Sequence, residues 1–205
     1  MAYAQRVIFF VFCVSVSFGQ RAPQSLFDSV AVTAEQEMRI LALDTITIKT
    51  QAEREELAML FASTKRFEYS FELLSVLCEE YPDNFDYQFL YGGVSGILAS
   101  ELPRVKSLPY VRAMKIAFEA AARLKPDALD IQIVLLQLYT ELPWVLGGSN
   151  KKATQVLEIV KSLSVIEGFL AEGYFYRSTK KNKEALVAYL NAVNEIQSCN
   201  QDVEM

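Results

Sequence analysis

Two stretches of this chain set a serine three residues ahead of a lysine: Ser149-Asn-Lys-Lys152 and Ser178-Thr-Lys-Lys181. In some acyl-transfer enzymes that spacing brings a nucleophilic hydroxyl within reach of an amine. The companion motifs of those enzymes are missing here. Ser149 has a simpler reading as the cap of the following helix, its side-chain oxygen accepting from free backbone N–H groups. The turn Gly147-Gly148-Ser149 ahead of Lys151 and Lys152 could hold an anion at a helix N-terminus, but no Gly-x-x-x-x-Gly-Lys-Ser loop accompanies it. Asp83, Asn84 and Asp86 lack the spacing and the distal glutamate of a calcium loop and suit helix capping better. The chain contains no histidine. That removes His-based triads, Cys–His dyads, histidine zinc ligands and the commonest near-neutral general base. Cys78 and Cys199 stand too far apart in sequence to supply a four-cysteine metal site, and two cysteines make no disulfide framework. The motifs thus imply no catalytic residue, no cofactor and no metal.

Composition bounds the remaining choices. A length of 205 residues suits one domain, perhaps with a tail. At 52% hydrophobic and 22% charged, the chain has the apolar surface for a continuous core. A net charge of −5 argues against a nucleic-acid surface, whose footprint is a basic patch.

The first nineteen residues read as a separate element. Arg6 precedes VIFFVFCVSVSF (Val7–Phe18), an apolar run broken only by serines. It is shorter than the roughly 20 apolar residues a bilayer span needs, yet it fits the core of a secretory signal. Ser17 and Gly19 place small residues three and one before a cleavage point at Gln20. The expectation is a cleaved signal (1–19), a periplasmic or secreted mature protein, and no membrane span in it.

The elements after that are helical. Thr33 with Gln36 three residues on predicts a capping box and a helix from Ala34 to about Thr45. The β-branched run Thr45–Thr50 predicts a break. Four helix pairs follow. Their first helices are expected at Ala52–Ser63, Phe85–Ala99, Ala128–Thr140 and Ile166–Arg177. Their second helices are expected at Phe67–Tyr81, Tyr110–Leu124, Asn150–Leu163 and Lys181–Gln197. Small and aromatic residues recur on single helical faces in the last pair: Gly173 and Tyr176, then Ala185, Tyr189 and Ala192. Comparable anchors are Ser70, Leu74, Leu77 and Pro82; Met114, Phe118, Ala121 and Pro126; and Ala153, Leu157 and Val160, with Val165 in place of a proline.

This pattern resembles the tetratricopeptide repeat, over about Gln51–Gln197. Pro82 to Pro126 spans 44 positions and Pro126 to Val165 spans 39, against a 34-residue family period. The excess is assigned to non-helical insertions at Ser100–Pro109, where two prolines stand, and at Glu141–Ser149. Two residues depart from the family pattern: Glu172 stands where an apolar residue is usual, and Met114 where a small one is. The resemblance implies an all-α, right-handed superhelical solenoid of about four helix pairs plus an N-terminal helix. Its expected domains are 20–50 as an N-terminal segment and helix, 51–198 as the repeat, and 199–205 as a tail.

The family binds proteins or peptides in a groove lined by the first helix of each pair. Register carries those positions onto Asp86 and Phe89, then Asp130, Ile133 and Gln137, then Leu170, Tyr174 and Arg177. They lack the basic row that clamps a C-terminal carboxylate in chaperone-binding members. Pro143–Ser149 (PWVLGGS) holds the only tryptophan, and a similar Pro-x-x-x-Gly-Gly-Ser element recurs in divergent members of the family. Trp144 and Leu146 are expected to fold back over their helix pair; the competing reading makes Trp144 an exposed anchor for a partner. The function implied is an exported, non-catalytic scaffold for a protein or peptide. The alternative is a periplasmic small-ligand binder accessory to a transporter, with room for the ligand beside Gly92, Gly93 and Gly96.

Overall fold

The computed structural model describes residues 32–203, with the backbone alone for 199–203. The expected signal and the start of the mature chain lie outside the described residues. Among the described residues there are nine α-helices and no strand. They fall into two compact units, divided between Leu124 and Lys125.

The first unit holds α1 (Ala34–Asp44), α2 (Gln51–Ser63), α3 (Phe67–Glu80), α4 (Phe85–Glu101) and α5 (Arg104–Leu124), each packed on the next. The expected capping box of Thr33 and Gln36 starts α1. Thr50 and Glu53 form a second one, which starts α2 at the end of the β-branched break. Short connections force neighbouring helices to run antiparallel. The turn from α2 to α3 bends at Lys65, whose φ of 62° lies in the left-handed region. Across that hairpin the Ser70 hydroxyl donates to the Ala58 carbonyl at 2.8 Å, both residues being buried. Leu57 packs with Ile40, Leu43 and Phe61, while Leu74, Leu77 and Leu98 form a second cluster with Tyr87.

The first insertion corrects the expectation of a non-helical loop at Ser100–Pro109. The break is confined to Leu102 and Pro103, and Pro109 sits inside α5. Proline in a helix removes one donor and strains the turn before it. Here the carbonyl that loses its donor belongs to Val105, an exposed residue, so water can take the place of the missing N–H.

The second unit holds α6 (Leu129–Glu141), a 3-10 turn (Trp144–Leu146), α7 (Asn150–Leu163), α8 (Val165–Ser178) and α9 (Asn182–Val203). Each α-helix packs on the next, and α6 also touches α8. Val165, expected at a closing-proline position, instead opens α8 directly behind Ser164, which ends α7 and caps α8. The turn from α8 to α9 repeats that from α2 to α3: Lys180 has φ 63°, and Thr179 donates to the Phe175 carbonyl as Thr64 does to that of Leu60. A further repeated detail escaped the sequence reading. The buried amides of Gln88 and Gln132 each donate to the carbonyl of the proline six residues earlier, Pro82 at 3.2 Å and Pro126 at 2.9 Å.

The packing seams explain both departures from the repeat pattern. A Cβ on Gly173 would lie 2.5 Å from the Tyr189 ring, and one on Gly92 would lie 2.6 Å from the Phe118 ring. Each unit therefore sets a glycine against an aromatic at the same register. Met114 fits at a position meant for a small residue because Gly96 faces it, with an added Cβ only 3.1 Å from its sulfur. Glu172 is paired with Lys161 at 2.6 Å, so its charge is held between α7 and α8. At the far end, α9 runs to Val203 and takes in most of the expected tail. Nothing in Ser198–Val203 breaks a helix, since neither glycine nor proline occurs there.

Candidate functional site

The turn at Pro143–Ser149 is built from backbone. Leu146 N–H and Gly148 N–H both donate to the Pro143 carbonyl, at 2.9 and 3.1 Å; Gly147 N–H donates to that of Trp144 at 3.1 Å. Ser149 N–H closes the turn on the Tyr139 carbonyl at 2.8 Å. Two glycines are required for this path. Gly147 has φ 100°, where a side chain is strained, and a Cβ on Gly148 would stand 1.7 Å from the Leu142 carbonyl oxygen. With its polar groups satisfied locally, the turn throws its side chains outward.

Trp144 is consequently 84% exposed and Val145 65% exposed. This corrects the expectation that Trp144 folds back as a cover; Leu146 alone is half-buried. Ser149 caps α7 as expected, accepting from Lys152 N–H at 3.3 Å. Lys152 lies over the Tyr139 ring, 5.0 Å from its centroid. Ser178 closes α8 next to the hairpin turn at Thr179 and Lys180. Among the described residues no cluster of three His, Cys, Asp or Glu side chains could hold a metal, and no helix is long and apolar enough to cross a membrane.

The groove positions divide by burial. In the first unit Asp86 is exposed in the first turn of α4, where a carboxylate complements the helix dipole. Phe89 is buried, stacked on Phe85 with ring centroids 5.6 Å apart and tilted against Phe118 at 5.9 Å. In the second unit Asp130 repeats the place of Asp86 at the start of α6. Ile133 is half-buried and Gln137 buried, while Leu170 and Arg177 are exposed and Tyr174 is buried.

Tyr174 donates a short hydrogen bond to Glu141, and the Arg177 guanidinium lies 5.7 Å from the Tyr174 ring centroid. Glu141, one turn beyond Gln137 on α6, was not among the expected residues; extending the same helical row by four would have reached it. Burial raises the Glu141 carboxyl above its ordinary value, against the opposing pull of Tyr174 and Arg177. Burial, then the Glu141 charge, push the Tyr174 hydroxyl well up.

Two other places have ordinary explanations. A depression of about 420 Å³ on the first unit is lined by Gln36, Ala52, Glu55, Glu56, Met59, Leu60 and Ser63. Its carboxylates are engaged, Glu55 by the Tyr87 hydroxyl at 2.8 Å and Glu56 by Arg39 at 2.6 Å. The room imagined beside Gly92 and Gly96 is filled by Phe118 and Met114, and Gly93 is itself buried.

No protein-family model matches the chain, and no curated protein does. Among solved structures, one titled "MamA MSR-1 C2" is similar, with a TM-score of 0.57 and 15% identity over 97% of each chain. At that identity the likeness speaks for the fold: the chain is all-α, of tetratricopeptide type.

Proposed function

We propose that the chain is an exported, non-catalytic scaffold that binds a protein or peptide, with Trp144 as its principal anchor. The observation that carries this reading is an indole 84% exposed on a turn whose backbone is fixed before any partner arrives. A large aromatic on a backbone already fixed has less chain to order on binding, and such residues dominate interface energetics. Within the same unit, the outward groove positions Leu170 and Arg177 would add apolar and charged rim contacts. The net charge of −5 favours a protein partner over nucleic acid. The small-ligand reading has lost its cavity to Phe118 and Met114 and is not favoured.

The test is affinity capture from the native envelope or secreted fraction on the immobilised wild type and on W144A. An anchor of this kind is worth about 2 kcal/mol or more, so W144A should weaken capture of the specific partner roughly thirtyfold. Equal capture by both proteins would remove Trp144 from the interface.

A further inference from the structure

The end of the second unit that carries Trp144 is also its basic end. α6 finishes at Glu141 and α8 at Ser178, and Tyr174 of α8 donates to Glu141, so both helices finish on one side. The Trp144 turn, the start of α7, the turn at Thr179–Lys181 and the start of α9 therefore gather there. They bring Lys151, Lys152, Arg177, Lys180, Lys181 and Lys183 to one place, all exposed. Against these stand Glu184, exposed, and Glu141, half-buried and hydrogen-bonded by Tyr174. The opposite end has the reverse sign: Asp127, Asp130, Glu167 and Glu195 lie there with Lys125. In a chain of net charge −5, that is segregation of charge and not a general excess of lysine.

The fold makes little use of this charge. Among the described residues, none of Lys151, Arg177, Lys180, Lys181 and Lys183 has a carboxylate oxygen within 4.0 Å. Lys161 shows the ordinary alternative, paired with Glu172 at 2.6 Å between two helices. For Lys151, Lys152 and Lys183 the placement works against the fold. The first two stand in the first turn of α7, which holds no acid, and the third in that of α9. A cation there opposes the helix dipole, and like charges at one end repel.

We infer that this end binds an acidic segment of the partner protein, its side-chain carboxylates on the lysines and Arg177 and its apolar side chains on Trp144 and Val145. The inference rests on the scaffold reading above and adds the partner's chemistry to it. Charge complementarity selects the sign of the partner. The held positions of the cations select a peptide over an anionic bilayer. Lys152 lies over the Tyr139 ring at 5.0 Å, and Arg177 and Lys181 lie over Tyr174 and Tyr176, each at 5.7 Å. Cations held on rings offer set positions to discrete carboxylates, whereas a fluid headgroup layer is met by free lysine stems.

Selection from a phage-displayed library of random peptides on the immobilised full chain tests the inference. The wild type should enrich peptides that set several Asp or Glu beside an aromatic or aliphatic residue. The triple variant K151Q/K180Q/K183Q should weaken such a peptide roughly thirtyfold, about threefold for each exposed ion pair lost, with unchanged helical circular dichroism. K106Q, on α5, should not weaken it. Enriched peptides without an acidic bias overturn the inference and leave the scaffold reading standing, as do acidic peptides that the triple variant binds equally well. No enrichment on the wild type beyond W144A also overturns it, and the capture experiment above then decides the scaffold reading separately. Vesicles of phosphatidylglycerol and phosphatidylcholine in equal parts should leave the protein in the supernatant. Co-sedimentation that the triple variant loses would put a membrane in the peptide's place and overturn the inference.

Discussion

At the scale of single residues, burial rather than charge pairing decides how the interesting side chains behave. Cys78 sits in the core cluster as a free thiol, and desolvation pushes its pKa up to about 12. Only the thiolate is reactive. Peptide mapping after alkylation at pH 8 should find Cys78 labelled at least a hundredfold more slowly in the native protein than in urea; equal rates would mean an open core. Glu141 offers a signed prediction. Its carboxyl is raised in the folded state, so its contribution to stability is complete while it is protonated and is lost as pH climbs through the folded value. Glu141→Gln keeps an acceptor for Tyr174 and lacks the charge. E141Q should match or exceed the wild type in urea midpoint at pH 7, with the wild type gaining on it as pH falls to 4. A wild type that leads at pH 7 and loses ground in acid would show that Arg177 and Tyr174 outweigh burial.

At the scale of elements, the fold rests on helices brought close by a missing side chain on one and an aromatic on the other. Gly173→Ala forces the Tyr189 ring to move and should cost about 1–3 kcal/mol by overpacking. In a double-mutant cycle with Y189L the penalty should shrink, since the two residues share one seam; full additivity would mean they do not touch. The hairpin turn gives the opposite sign. Lys180 holds a left-handed conformation, so K180G should be stabilising or neutral, by at most about 1 kcal/mol, because relief of strain competes with greater freedom of the unfolded chain. Much of this level could be read in sequence. Ser70, Leu74, Leu77, Phe118, Ala121, Ala153, Leu157, Val160, Ala185 and Ala192 were placed on inner faces by helical spacing together with the register that the repeat resemblance implies, and all are buried. Pro109 misled because proline forbids a helix only where the freed carbonyl has no other partner, and exposure of Val105 is a tertiary fact. The reach of α9 was missed because a polar composition was read as a tail where no residue actually stops a helix.

For the whole molecule, a histidine-free, mildly acidic chain folds, over its described residues, into helical units of tetratricopeptide type. Spacing could single out Trp144 as unusual, but its direction was fixed by hydrogen bonds from Leu146, Gly147, Gly148 and Ser149 to carbonyls of Pro143, Trp144 and Tyr139. Sequence spacing does not carry that information. Because Trp144 is the only tryptophan, intrinsic fluorescence reports this one residue. The free protein should emit as a water-exposed indole fully open to acrylamide quenching, and the captured partner should shift the emission to the blue and shield it. An indole already shielded in the free protein, or one whose spectrum and quenching stay unchanged with the partner bound, would contradict the account.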